Sequence, residues 1–265
     1  MPKIGIDIGY YNPRKIVPIS FTDGTNSGGG ETSVLQPWYD SLSVKPSEGL
    51  WTDLKIMADG MNTDGDWEEA DFIGQFAGME TEEQQLTPLK TTSGSLITAG
   101  GIYTLNNNGF SGITSGYLNI GWNPFDDGIK FTTNDCFGMI CNSSVGTESP
   151  GIYLSYNSLF QMLKLNAGGT QIGFYVNGNT PPVVINPTIN IGYKAILRNN
   201  AANFQYYENG SFQTKIQAST AIVSAQDLRI SISGASFPST ATQRQIVLGS
   251  SLINADNLRS RYNTF

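Results

Sequence analysis

The chain has 265 residues, of which 39% are hydrophobic, 11% aromatic and only 14% charged. That is enough chain for one large all-β domain or two small ones, and too aromatic for charge-driven disorder. A net charge of −7 argues against a phosphate-binding surface, so no nucleic-acid partner is expected.

The chain contains no histidine. This removes the commonest general base and the commonest zinc ligand. Ser-His-Asp triads, Cys-His dyads and His-built metal sites are excluded, and the expectation is a protein that is not an enzyme and carries no cofactor. No run approaches ~18 apolar residues, so no membrane-spanning helix is expected. The start, Met1-Pro2-Lys3-Ile4-Gly5, lacks the apolar core of a signal peptide.

In chain order, residues 1–47 show no sustained periodicity. They carry Pro2, Pro13, Pro18, Pro37 and Pro46, with short apolar stretches at Ile4–Ile8 and Ile16–Ile19. This reads as an extended arm whose β-like pieces pair with another surface. Residues 48–63 are predicted helical: Leu50, Leu54, Met57 and Met61 recur at helical spacing, Ser47 suits the N-cap, and Asp64-Gly65 stops the turn.

From about residue 66 the chain reads as strands. These are expected over 70–77, 116–120, 135–142, 151–156, 159–165, 171–176, 193–198, 202–208, 212–218, 227–232 and 243–248, a spacing that suits a sandwich or barrel. The run 79–85 is an acidic, solvated loop or short helix. Asn177-Gly178 and Asn209-Gly210 each end a strand with the strongest short hairpin signal. Residues 254–265 predict a short helix capped by Asn254, with Leu258 and Tyr262 on one face.

Cys136 and Cys141 flank a strand-like run. Five residues of strand span roughly 16 Å, with the two side chains on opposite faces, whereas a disulfide needs Cα atoms within about 7 Å. Two free, buried thiols are expected.

The order of features from Leu50 onward carries a resemblance. Leu50-Trp51 is followed by Trp67, the strand Ala70–Ala77, Asn108–Gly112, Tyr117-Leu118-Asn119-Ile120-Gly121-Trp122-Asn123-Pro124, Asp127-Gly128, Cys136–Ile140, Tyr207–Gly210 and Arg244–Ser251. Over residues 48–265 this series resembles the concanavalin A-like (lectin/glucanase-type) sandwich of structural proteins of tailed bacteriophages, of the Bacteroidetes-phage type. The resemblance implies an all-β, antiparallel sandwich of jelly-roll type with an extended N-terminal arm and one or two short helices. It implies a fibre or decoration protein on the particle surface, docked to capsid or tail proteins through residues 1–47. Such β-rich appendages are commonly symmetric homo-oligomers.

Three candidate sites stand beside this fold. Glu69 and Asp71 begin the carboxylate strand that the glucanase branch uses, but Ile73 stands where the third carboxylate is needed, so a hydrolase is the weakest reading. The turn with Asn123, Asp126 and Asp127 offers oxygen atoms of the kind calcium takes, though Asp, Asn and Gly are also ordinary turn residues. A host surface glycan needs an exposed aromatic platform beside polar groups. Trp122, flanked by Asn123, Asp126 and Asp127, is the leading choice, ahead of Trp38, Tyr153 and Tyr156.

Overall fold

The chain breaks into fifteen strands and five helices among the residues that the computed structural model describes: 3–5, 32–145, 151–156, 160–165, 171–177, 183–186, 191–208, 210–219, 227–230 and 241–262. In chain order these are β1 (Lys3–Gly5), α1 (Gln36–Ser41), α2 (Glu48–Asp64), α3 (Asp66–Glu69), β2 (Ala70–Gln75), α4 (Glu82–Leu86), β3 (Lys90–Thr91), β4 (Thr98–Asn106) and β5 (Gly109–Asn119). There follow β6 (Cys136–Asn142), β7 (Gly151–Tyr156), β8 (Phe160–Lys164), β9 (Ile172–Val176), β10 (Val183–Ile185), β11 (Gly192–Arg198), β12 (Asn203–Glu208), β13 (Ser211–Ile216), β14 (Arg229–Ile230), β15 (Gln243–Gly249) and α5 (Ala255–Tyr262).

Every pairing is antiparallel, and one hydrogen-bonded path runs β10-β9-β8-β7-β14-β5-β15-β6-β11-β12-β13. The β5–β15 step is a single pairing, Gln243 with Phe110. On either side of it lie the two faces of a β-sandwich. Phe174 of β9 meets Phe204 and Tyr206 of β12 at ring separations of 6.3 and 5.1 Å. Phe110, Leu118, Met162 and Ile230 from one side close on Phe72, Ile140, Ile196, Ile246 and Leu248 from the other.

The middle of the second sheet is buried on both faces, while its last strand, β13, is exposed. All seven residues of β6 are buried, which explains its unbroken apolar run. Cys136 and Ile140 enter the inner core, whereas Phe137, Met139 and Cys141 enter a second core under the helices. Leu54, Met57, Ala58 and Met61 of α2, Trp38 of α1, and Leu258 and Tyr262 of α5 complete that second core. The molecule is therefore a sandwich with a helical third layer, more helix than the one or two short helices expected. Both thiols are free and buried on opposite faces, as their odd spacing requires.

Helix α2 starts where its cap places it: the Ser47 side chain accepts from the Leu50 N–H, and Gly65 ends the helix at φ 83°. Asn254 caps α5 by accepting from the N–H groups of Asp256 and Asn257 at 3.0 and 3.2 Å. Glu208 pairs with Ser211 across the expected two-residue turn. Asn177 adopts φ 53°, but β10 begins only at Val183, so that connection is longer than a tight hairpin.

The arm expected over residues 1–47 is part of the fold over its last third. Leu35, Trp38 and Leu42 lie in the second core. The Asp59 carboxylate accepts from Ser33 Oγ and Val34 N–H at 2.6 and 3.1 Å. Glu83 accepts from Ser43 N–H and Oγ and from Val44 N–H, and Glu80 accepts from Ser47 N–H. Further upstream, β1 pairs with this chain's own β4. The rest of the expected arm, residues 1–2 and 6–31, lies outside the described residues.

Candidate functional site

A cleft of about 550 Å³ opens between the segment around α1 and the start of β2. Val34, Gln36, Pro37 and Asp40 line it from the α1 segment, and Ile129 and Lys130 form a wall from the segment that follows the Asn123–Gly128 turn. Trp67, Glu68, Asp71, Lys90 and Thr92 line the space between. A concave, largely apolar space of this size with a few placed polar groups is the usual form of a small-ligand site.

Asp71 builds the Ile129–Lys130 wall. Its side chain is buried, and its two oxygens accept from the backbone N–H groups of Ile129 (3.0 Å), Lys130 (2.9 and 3.1 Å) and Phe131 (2.8 Å). Burial pushes its carboxyl above the ordinary value, against the pull of these donors. Glu69 is held by Ser250 Oγ at 2.5 Å and Lys130 Nζ at 3.2 Å. Ser250's hydrogen bond is the main reason its carboxyl sits below the ordinary value. Both carboxylates proposed for hydrolysis are thus engaged in holding the wall.

Lys90 also lines the cleft. Its ammonium donates to the Trp67 carbonyl and lies 5.7 Å from the indole centroid. Burial lowers its proton affinity, while Glu68, Asp71 and Glu69 partly restore it. Glu68 is exposed beside it.

The expected aromatic platform is not where the sequence suggested. Trp122 is 0% exposed. Its ring meets Phe131 edge-on at 5.6 Å, and its Nε1 donates to Thr92 Oγ1 at 3.0 Å. An indole in the inner core offers no face to a sugar. Phe125, three residues on, is 61% exposed and is the solvent-facing ring of this turn. Trp38 is also buried, with Nε1 donating to the Thr87 carbonyl at 3.1 Å. Tyr153 and Tyr156 lie on β7 with side chains outside those described.

The oxygen-rich turn is closed on itself. Asn123 N–H donates to Asp127 Oδ2, Asn123 Nδ2 donates to Asp126 Oδ2, and Phe125 N–H donates to Asn123 Oδ1, at 2.8 to 2.9 Å. Burial raises the Asp127 carboxyl, helped by the charges of Asp126 and Asp227. Among the described residues, no three His, Cys, Asp or Glu side chains converge on a metal-sized space.

Two links join this turn to the cleft. Thr92 Oγ1 donates to the Asp127 carbonyl at 2.6 Å, and Ile129 and Lys130 follow directly. The cleft residues come from four separate segments, so no local motif announces them.

No family model matches the chain, and no curated protein matches it. The fold is shared with solved structures. The binding domain of botulinum neurotoxin serotype D superposes with a TM-score of 0.53 at 11% identity, over 74% of this chain and 52% of that one. An HCR/D mutant gives 0.50 at 12%, with the same coverage. Domain 4 of an extracellular arabinanase from Geobacillus stearothermophilus, in complex with arabinotriose, gives 0.45 at 9%, over 73% and 98%. The chain spans about half the length of the neurotoxin domain. At such identities the likeness to the neurotoxin binding domain is one of fold alone.

Proposed function

We propose that this chain is a lectin-like recognition module that binds a host surface glycan in the cleft between α1 and the Ile129–Lys130 wall. The observation that carries this reading is the cleft itself: a largely apolar space with the charged and amide groups of Gln36, Asp40, Glu68 and Lys90 in its lining, and a wall fixed in advance by the Asp71 clamp. A wall that needs no ordering on binding saves affinity. Amide, carboxylate and ammonium groups from Gln36, Asp40, Glu68 and Lys90 suit a hydroxyl-rich ligand. The reading is non-catalytic, because Glu69 and Asp71 are occupied structurally.

The resemblance over residues 48–265 extends the proposal to a place. The module belongs on the surface of a bacteriophage particle, as a fibre or decoration protein in contact with other virion proteins, and as a homo-oligomer. Residues 33–47 are folded onto the domain, so docking through them would use their exposed side, where Val44 is 54% exposed. Antibody labelling of purified particles in the electron microscope tests the placement. Label on head or tail supports it, and unlabelled particles overturn it.

The binding reading is tested by calorimetric titration with oligosaccharides of host surface polysaccharide. Ile129 is 71% exposed on the cleft wall, so Ile129→Arg should fill the cleft and leave the fold intact. At least a tenfold loss of affinity is expected. Unchanged affinity would place the site elsewhere.

A further inference from the structure

The strands β6, β11 and β12 bring together three buried groups that the cleft does not use. Asn142, Lys194 and Glu208 each stand two residues from a member of the inner core, Ile140, Ile196 and Tyr206, and so point to the same face. Lys194 pairs directly with Glu208, and Asn142 pairs with Gly192. Gly192 has no side chain, so the Lys194 stem can lean back over it. The Lys194 Nζ donates to Asn142 Oδ1 at 3.1 Å. Lys194 is 0% exposed, and Asn142 and Glu208 are buried beside it.

We propose that Lys194 and Asn142 join in an intramolecular amide cross-link between β11 and β6, with Glu208 as the proton shuttle. A lysine withdrawn from water is activated as a nucleophile, because its neutral form is favoured. Burial lowers the Lys194 ammonium to about 8, against the opposing charge of Glu208. The Nζ lone pair attacks Asn142 Cγ and a new N–C bond forms. Glu208 takes the proton that the amine loses and returns it to Nδ2. The Cγ–Nδ2 bond then breaks and ammonia leaves. An amine and a carboxamide become a secondary amide and ammonia, with no oxidant or reductant involved.

Two neighbours fit this step. Asn142 Nδ2, the leaving group, donates to the Ser144 carbonyl at 2.7 Å, which orients it. Gln243 is in register with Asn142 and fully buried, and neither atom of its amide has a hydrogen-bond partner. An unpaired buried donor is costly, and a developing oxyanion at Cγ is what such a donor serves.

The test is the intact mass of the purified full chain under denaturing conditions, followed by peptide mapping. The expected result is a chain one ammonia lighter than its sequence, with the peptides holding Asn142 and Lys194 recovered as one branched species. Lys194→Arg and Glu208→Gln should both restore the full mass, and circular dichroism checks that each folds. If either variant fails to fold, the wild-type branched peptide decides. Wild-type protein at full mass with two separate peptides overturns the proposal, as does an ammonia loss that persists in Lys194→Arg. A cross-linked Glu208→Gln overturns the role given to Glu208.

Discussion

At the scale of single residues, Asp71 and Trp122 show how the same residue types serve structure or function according to burial. Asp71 reads as half of a carboxylate pair, yet its oxygens are taken by three backbone N–H groups. Asp71→Ala would leave the buried Phe131 N–H unpaired, which costs about 1–3 kcal/mol. Denaturant unfolding measures that loss, and an unchanged midpoint would contradict the clamp. Trp122→Ala removes a fully buried ring, and such truncations cost about 3–5 kcal/mol. Melting should therefore fall sharply, and any lost glycan binding in that variant reflects unfolding. Asn254 and Ser47 were legible as caps because capping is a local matter of one side chain and the next turn. Trp122 was not, because the sequence shows an aromatic beside a turn without showing which way it faces.

At the scale of elements, residues 33–47 are fastened to the domain by carboxylates. Glu83 holds Ser43 and Val44, and Asp59 holds Ser33 and Val34. Burial opposes ionisation at both, yet the hydrogen bonds from Ser43 and Val44 at Glu83, and from Lys55, Ser33 and Val34 at Asp59, leave each carboxyl below its ordinary value. A depressed folded value means that the stability is present above the unfolded values of 4.5 and 3.8 and is lost as pH falls through the folded ones. The Asp59→Asn, Glu83→Gln double variant should show a shallower acid loss of stability than the wild type. Equal acid profiles would contradict the fastening. Asp71 works in the opposite sense. Its raised value makes it cost stability as pH climbs from 3.8 through the folded value.

The β4–β5 hairpin shows why part of the sheet was hidden. Gly100, Gly101, Gly112 and Gly116 interrupt its alternation, and only residues 116–120 read as strand. A side chain at Gly116 would meet the Ile102 carbonyl oxygen at 2.0 Å. The glycine is there for close approach of the paired strand, a tertiary need with no local trace. Helix α1 was hidden for a similar reason: its six residues are too few to show periodicity, and they hold through Trp38 in the second core.

At the scale of the whole molecule, a sheet whose central strands are buried on both faces organises everything else. Its central strand β6 was readable as an unbroken apolar run because all seven of its positions are buried. The helices were partly readable: α2 and α5 carry their own periodicity, and the run 79–85 allowed the short helix that α4 forms, whereas α1 and α3 left no periodic trace. The cleft lies where α1 meets the sheet's β2 edge, so it exists only once the layers have assembled. That is why its residues form no motif.

The central claim is recognition at this cleft. The most direct measurement is titration of the full chain, and of Ile129→Arg, with a panel of oligosaccharides prepared from host surface polysaccharide. Saturable binding by the wild type and at least tenfold weaker binding by a folded Ile129→Arg are expected. A wild-type chain that binds no member of the panel at millimolar concentration would contradict the claim.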